Sequence, residues 1–203
     1  MTALIFNYNS NCVAIAMDTL AHSFDKTSFL YESKFYYFEK EKTAICGVGN
    51  SGIKKDWYNF VLNNIPTKNI IEINKIATEK LLVFDNKYPD EFDATIYNFG
   101  YNEGKDKFEG FVYRKENGFI SEKLYHGFGT RPKVDNNKIV SIYSNMELIN
   151  KKDIINYIFI QVMKEQKKAD DRNKIEDRVF IGGDIELLIM TKDSCSFNTI
   201  YNL

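Results

Sequence analysis

Cysteine, histidine and proline are scarce in this chain of 203 residues, and each scarcity removes a class of protein. The three cysteines, Cys12, Cys46 and Cys195, are isolated and odd in number. None pairs at zinc-ligand spacing and no disulfide framework emerges, which favours a reducing cytoplasm. The only histidines, His22 and His126, have no partner at metal-ligand spacing, and Gly47-Val48-Gly49 alone is no dinucleotide fingerprint, so neither a metal nor a dinucleotide cofactor is expected. Three prolines and 44% hydrophobic residues are not the composition of a disordered or fibrous chain. A formal net charge of −1 lacks the dominant basic surface that nucleic-acid binding needs. Long apolar runs are missing as well, since none approaches the roughly 20 residues that span a bilayer. The opening MTALIFNYNSNCVAIAMD has neither the basic start nor the unbroken apolar core of a secretory signal. The expectation is a cytoplasmic protein that binds neither nucleic acid nor membrane.

What is present reads as one domain over residues 1–203, rich in aromatics at 15%. Ala3-Leu4-Ile5-Phe6 and Val13-Ala14-Ile15-Ala16 are short apolar runs around the turn signal Asn9-Ser10-Asn11. A polar excursion over 22–33 follows, then strand-like Lys34–Phe38, the charged turn Glu39–Lys42, and Thr43–Cys46 leading into the glycine-rich stretch 47–52. Helical spacing predicts helices over 51–63 and 68–86, separated by Pro66, and another over 151–168. Lys164 to Arg172 reads as a solvated helix end. Strand character returns at 95–97, 110–113 and 119–121, with Asn117-Gly118 as a hairpin turn. The segment 127–146 fits neither pattern, and two last strands are expected at 185–190 and 195–202. Segregated blocks of strands and helices argue for an α+β fold, with two sheets face to face and helices outside.

A tight hairpin around Ser10 would set Thr2 opposite Asp18, and a second turning at Lys40-Glu41 would set Lys34 opposite Gly47. A hydroxyl, a carboxylate, an amine and a glycine-rich turn would then meet at one end of a sheet. Lysine and aspartate are rarely buried unless paired, so a charged residue closing each of two apolar strands is unusual. Read without any family, these residues could equally be surface groups at strand ends.

Counted from Thr2, the spacing of Asp18 and Lys34 resembles that of proteasome β subunits and the bacterial HslV proteases. The opening Thr2–Ile5 and Val13–Asp18 hairpin, the aromatic strand after Lys34, Cys46–Gly52 and the run Gly182-Gly183-Asp184 to Asp193 resemble theirs in order and spacing. That resemblance implies a four-layer αββα sandwich of the N-terminal nucleophile (Ntn) hydrolase type. It further implies that Thr2, freed by removal of Met1, attacks a peptide carbonyl while its own α-amino group takes the proton. Lys34, held charged by Asp18, would assist; backbone N–H groups of Gly47 and Gly49 would bind the oxyanion; His22 and Ser23 would lie near substrate. The implied partners are a peptide or unfolded protein substrate, copies of the chain in a homo-oligomeric ring, and an ATPase unfoldase.

Three positions depart from the family pattern. Phe128 stands where a Gly-Ser-Gly turn has serine, and Arg178 and Ile181 replace an aspartate and a serine before the double glycine. Asp177, one residue away, is a candidate substitute. Cys46 reads as a small core residue rather than a nucleophile. Two other functions compete with a threonine peptidase: an inactive structural ring subunit, and an Ntn hydrolase of a small amide.

Overall fold

The computed structural model describes residues 2–23, 26–144 and 153–203. Met1, whose removal the expected chemistry needs, and the first residues of the helix expected over 151–168 lie outside them. The fold is mixed α+β, with three antiparallel sheets and four helices among the described residues.

The chain opens with a hairpin of β1 (Leu4–Tyr8) and β2 (Cys12–Asp18). Asn9 shapes its turn, its Oδ1 accepting from the amides of Asn11 and Cys12 at 2.8 and 3.0 Å. Leu4 faces Met17 across the pair. The turn therefore centres between Ser10 and Asn11 rather than on Ser10, which shifts the register by one residue and brings Ala3 rather than Thr2 opposite Asp18. The second hairpin, β5 (Tyr36–Phe38) with β6 (Thr43–Gly49), sets Tyr36 against Ile45 in the expected register.

One five-stranded sheet runs β10 (Gly127–Arg131), β1, β2, β11 (Asp184–Thr191), β12 (Cys195–Asn202). The other runs β5, β6, β7 (Ala94–Asn102), β8 (Lys107–Arg114), β9 (Glu122–Lys123). Between β2 and β5 the chain forms a small hairpin, β3 (Leu20–His22) and β4 (Phe29–Tyr31), where the sequence showed only a polar excursion. The strand expected at 119–121 is absent: Phe119 takes φ 54° after Gly118 at φ 67°, and β9 begins at Glu122.

Period-two alternation divides β1 and β2 between two cores. Leu4, Phe6, Tyr8, Val13, Ile15 and Met17 pack against Ala44, Cys46, Tyr97, Phe99 and Phe108 of the other sheet. Ala3, Ile5, Ala14 and Ala16 turn instead toward Phe159, Val162 and Met163 of α4 (Ile154–Asp170). A third core joins β6, β7 and β8 to α1 (Ser51–Asn64) and α2 (Ile70–Asp85) through Ile45, Trp57, Ile73 and Leu81. The helices start where asparagines cap them: Asn50 Oδ1 accepts from Gly52, and Asn69 Oδ1 from Ile71 and Glu72. Within 127–146, β10 is followed by α3 (Asn136–Ser144), which packs on α4. No helix among the described residues is long and apolar enough to cross a membrane.

Candidate active site

Asp18 closes β2 with a fully buried carboxylate that three donors share. Its Oδ1 accepts from the Ala3 amide and from Lys34 Nζ, each at 2.9 Å. Its Oδ2 accepts from the Gly182 amide at 3.2 Å. One side chain thus ties together the start of β1, the lysine ahead of β5 and the double glycine ahead of β11. Lys34, itself only 3% exposed, also donates to the Leu20 carbonyl at 2.6 Å. Burial pushes its ammonium pKa down, and the Asp18 charge and hydrogen bond pull it back up.

The double glycine allows this approach. Gly183 has φ 76°, and a Cβ there would sit 2.5 Å from Thr19 Oγ1, which accepts from the Asp184 amide at 2.8 Å. Gly49 is constrained likewise, with φ 88° and a would-be Cβ 2.1 Å from the Asp93 carbonyl. Gly47 and Gly49 belong to the last part of β6, so the expected glycine turn is a strand end running into α1.

Thr2, Lys34, Gly47 and Gly49 line one cavity of about 670 Å³. His22 lines it as well, its ring packed edge-on to Phe180 at 5.4 Å and its Nδ1 donating to the Ser23 carbonyl at 2.7 Å. Burial and the nearby cations Lys26 and Lys34 lower its pKa. Ser23 does not line the cavity; its hydroxyl accepts from the Ser28 amide and closes the base of the β3–β4 loop. Cys46 is fully buried in the core between the sheets, and burial drives its thiol up to about 12.

The three departures point elsewhere. Phe128 packs on Phe159 and Tyr143, Arg178 donates to the Asn173 and Asp171 carbonyls, and Ile181 is buried beside α4. Asp177 is exposed and is no substitute. The carboxylate at this spot is Asp170, which accepts from the amides of Val179, Phe180 and Ile181 at 2.6, 2.8 and 3.3 Å. It corrects the reading of 164–172 as a solvated end: Asp170 and Gln166 are 3% and 2% exposed. Their helical spacing from Phe159 and Met163 was the available signal. Sequence reasoning also missed Lys54, which sits on the buried face of α1 with Ile53, Trp57 and Val61 and lines the same cavity. No group of three His, Cys, Asp or Glu suited to a metal occurs among the described residues.

Solved structures of Anbu superpose on this arrangement. The fold is Anbu-like. A Gly-1 mutant of Anbu from Hyphomicrobium sp. strain MC1 aligns with a TM-score of 0.66 and 12% identity, covering 98% of this chain and 85% of that one. Anbu from Yersinia bercovieri, described as an ancestral beta-subunit, aligns with TM-score 0.65 and 11% identity over 98% and 88%. A further Hyphomicrobium Anbu gives 0.65 and 11% over 98% and 87%. No protein-family model matches the sequence, and no curated protein does. These findings overturn the resemblance to proteasome β subunits and HslV, because Anbu is a different family. Asp18 ends β2 and Lys34 precedes β5, with the β3–β4 hairpin between them along the chain, so the packing of the two large sheets rather than one hairpin brings this pair together.

Proposed function

We propose that this chain is an amide hydrolase of Anbu-like fold that uses Thr2, once Met1 is removed, as an N-terminal nucleophile on peptides. The observation that carries the reading is the double use of Asp18 Oδ1, which holds the Ala3 amide and the Lys34 ammonium at 2.9 Å each. A peptide amide anchored next to Thr2 and a cation in the same cavity wall are what an activated N-terminal hydroxyl needs. In the proposed reaction the Thr2 α-amino group takes the hydroxyl proton and later passes it to the leaving amine. Lys34 stabilises the developing alkoxide, and backbone N–H groups at Gly47–Gly49 receive the oxyanion. Water then hydrolyses the acyl-enzyme.

The fold proposed to support this chemistry is a single domain of four layers: α1 and α2, the β6 sheet, the β1 sheet, then α3 and α4. Three separate cores, one between the sheets and one under each helix pair, support that layering. Exposed Phe29, Leu30 and Tyr31 on the β3–β4 hairpin give a second copy an apolar surface, in keeping with a self-assembling ring.

Intact mass and a peptide epoxyketone, which requires both hydroxyl and free amine, test the reading together. A chain lighter by one methionine that forms an adduct on Thr2, lost in Thr2→Ala, is the expected result. Processed protein that forms no adduct would overturn it in favour of a structural subunit.

A further inference from the structure

Lys54 is a buried cation that the proposed reaction does not use. Its residue is 5% exposed, and among the described residues its ammonium makes one hydrogen bond, to the Lys34 carbonyl at 3.1 Å, while lying 5.7 Å from the Tyr36 ring centre. No ion pair among the described residues includes it. An ammonium carries three donors, and a charge taken out of water is costly unless a counter-charge meets it. The remaining donors belong to a group that lines the Thr2 cavity.

The charges of that cavity are sorted by depth. Its carboxylates Glu32, Glu91, Asp93 and Glu176 are all exposed, whereas Lys34 and Lys54 are buried; the third lysine, Lys26, is half-buried and donates to the carbonyls of Ile175, Glu176 and Arg178. Asp18 already satisfies Lys34. Water and salt screen the outer acids, while a cation in the wall acts at short range on whatever enters. Lys54 is desolvated before any ligand arrives, so a ligand carboxylate would meet a donor whose cost of burial is already in the fold.

We propose that Lys54 is a specificity-determining residue that binds the side-chain carboxylate of the substrate residue supplying the attacked carbonyl, so that cleavage occurs after glutamate or aspartate. This inference rests on the Thr2 reading for its chemistry but not for its binding. Thr2, Gly47 and Lys54 line one cavity, so a substrate residue whose carbonyl is attacked at Thr2 has its side chain within the space that Lys54 borders. A carboxylate fits, because Lys54 presents a single ammonium with no arginine fork among the residues that line the cavity, and the N-terminal turn of α1, with Ser51 and Gly52 in the same wall, also favours an anion.

The groups that face Lys54 set the pH range. They are Lys34, Asp18, Glu32, the Cys46 thiol and Tyr36, and burial, helped by the Lys34 charge, brings Lys54 down to about 8. Preference for an acidic side chain is therefore expected at pH 7 and should fade as pH rises past about 8.

Fluorogenic peptides identical except for glutamate, glutamine, leucine or lysine before the scissile bond test the proposal. Since a charge-assisted hydrogen bond is worth about 1.5–3 kcal/mol, kcat/KM for the glutamyl peptide should exceed that for the glutaminyl one by roughly 10- to 100-fold. Lys54→Met should equalise the two, and Lys54→Glu should turn the preference toward lysine. A uniform loss of rate on all peptides would make Lys54 only a support for the Lys34 backbone and overturn the proposal. Binding separates this inference from the nucleophile reading. Thr2→Ala protein, titrated with N-acetylated glutamyl and glutaminyl peptides by NMR, should favour the glutamyl peptide. Preferential binding with no cleavage by the native chain sinks the nucleophile and leaves Lys54 standing; equal binding, or none, sinks the role of Lys54. Should the Lys54 variants fail to fold, the glutamyl-to-glutaminyl ratio of the native chain decides, and a ratio that does not fall between pH 7 and 9 overturns the proposal.

Discussion

Glu109 and Lys54 are both buried charges, and the fold treats them in opposite ways. Glu109, on β8, is 2% exposed, and its carboxylate accepts from Lys105, Lys123 and Asn102. Those hydrogen bonds overcome the burial penalty and hold its pKa down to about 2. Among the described residues Lys54 has one carbonyl partner and no counter-ion, and burial and the Lys34 charge leave its pKa at about 8. The saturated site is structural, since nothing remains for a ligand to satisfy. The unsaturated one faces the cavity and has donors in reserve. Asp18 stands between them: it is saturated by three donors, yet one of those donors, Lys34, forms the cavity wall.

Breaking the Asp18–Lys34 pair should have the largest consequence. Lys34→Met removes a cation placed for the reaction, and peptide cleavage is expected to fall by about 10²- to 10⁴-fold with the secondary structure preserved by circular dichroism. Next is Asp170→Ala, which strands three backbone amides ahead of the double glycine. It should cost about 3 kcal/mol in denaturant unfolding and lower activity through the displaced Gly182 contact with Asp18.

Lys54→Met should do the reverse and stabilise the protein. A drop from the usual lysine value of about 10.4 to about 8 corresponds to roughly 3 kcal/mol, offset by about 1 kcal/mol for the lost hydrogen bond. The sign follows from linkage. Between pH 8 and about 10.4 the unfolded chain binds the extra proton, so the native protein gains stability as pH rises through that window. The advantage of the methionine variant should therefore be full below pH 8 and shrink toward pH 10 in urea unfolding. A variant less stable than the parent at pH 7 would mean that Lys54 is a satisfied structural residue like Glu109.

Glu109→Gln should have the smallest effect, about 1–2 kcal/mol, because its lysine partners are 55% exposed and water replaces them readily. Its lowered pKa contributes stability above about pH 4.5 that is lost as pH falls toward 2. Acid titration of the two proteins should show the gap closing in that range, with cleavage at pH 7 unaltered.

Local pattern carried much of the fold. Apolar alternation in β1 and β2, and the 3.6 period of α1, α2 and α4, are properties of neighbouring residues, and they placed these elements within a few positions. The closeness of Thr2 and Asp18 was likewise legible, because a hairpin converts a separation along the chain into proximity across a sheet, whereas Lys34 reaches Asp18 from the other sheet. The spacing of these three residues misled about family, since the solved structures that superpose on the chain are of Anbu.

Whatever depended on distant partners had to wait for the tertiary structure. A one-residue shift in the first turn moved Ala3, not Thr2, to face Asp18, because the Asn9 side chain rather than strand pattern sets that turn. Asp170 looked like one more charge in a solvated helix end until the backbone of 179–181 arrived to donate to it. Lys54 was not singled out in the sequence at all, and it gains meaning only once α1 packs against β6 and buries it. Periodicity along a chain reports which face a residue occupies; only the packed fold decides whether a charge on that face finds its counter-charge, and for Lys54 it does not.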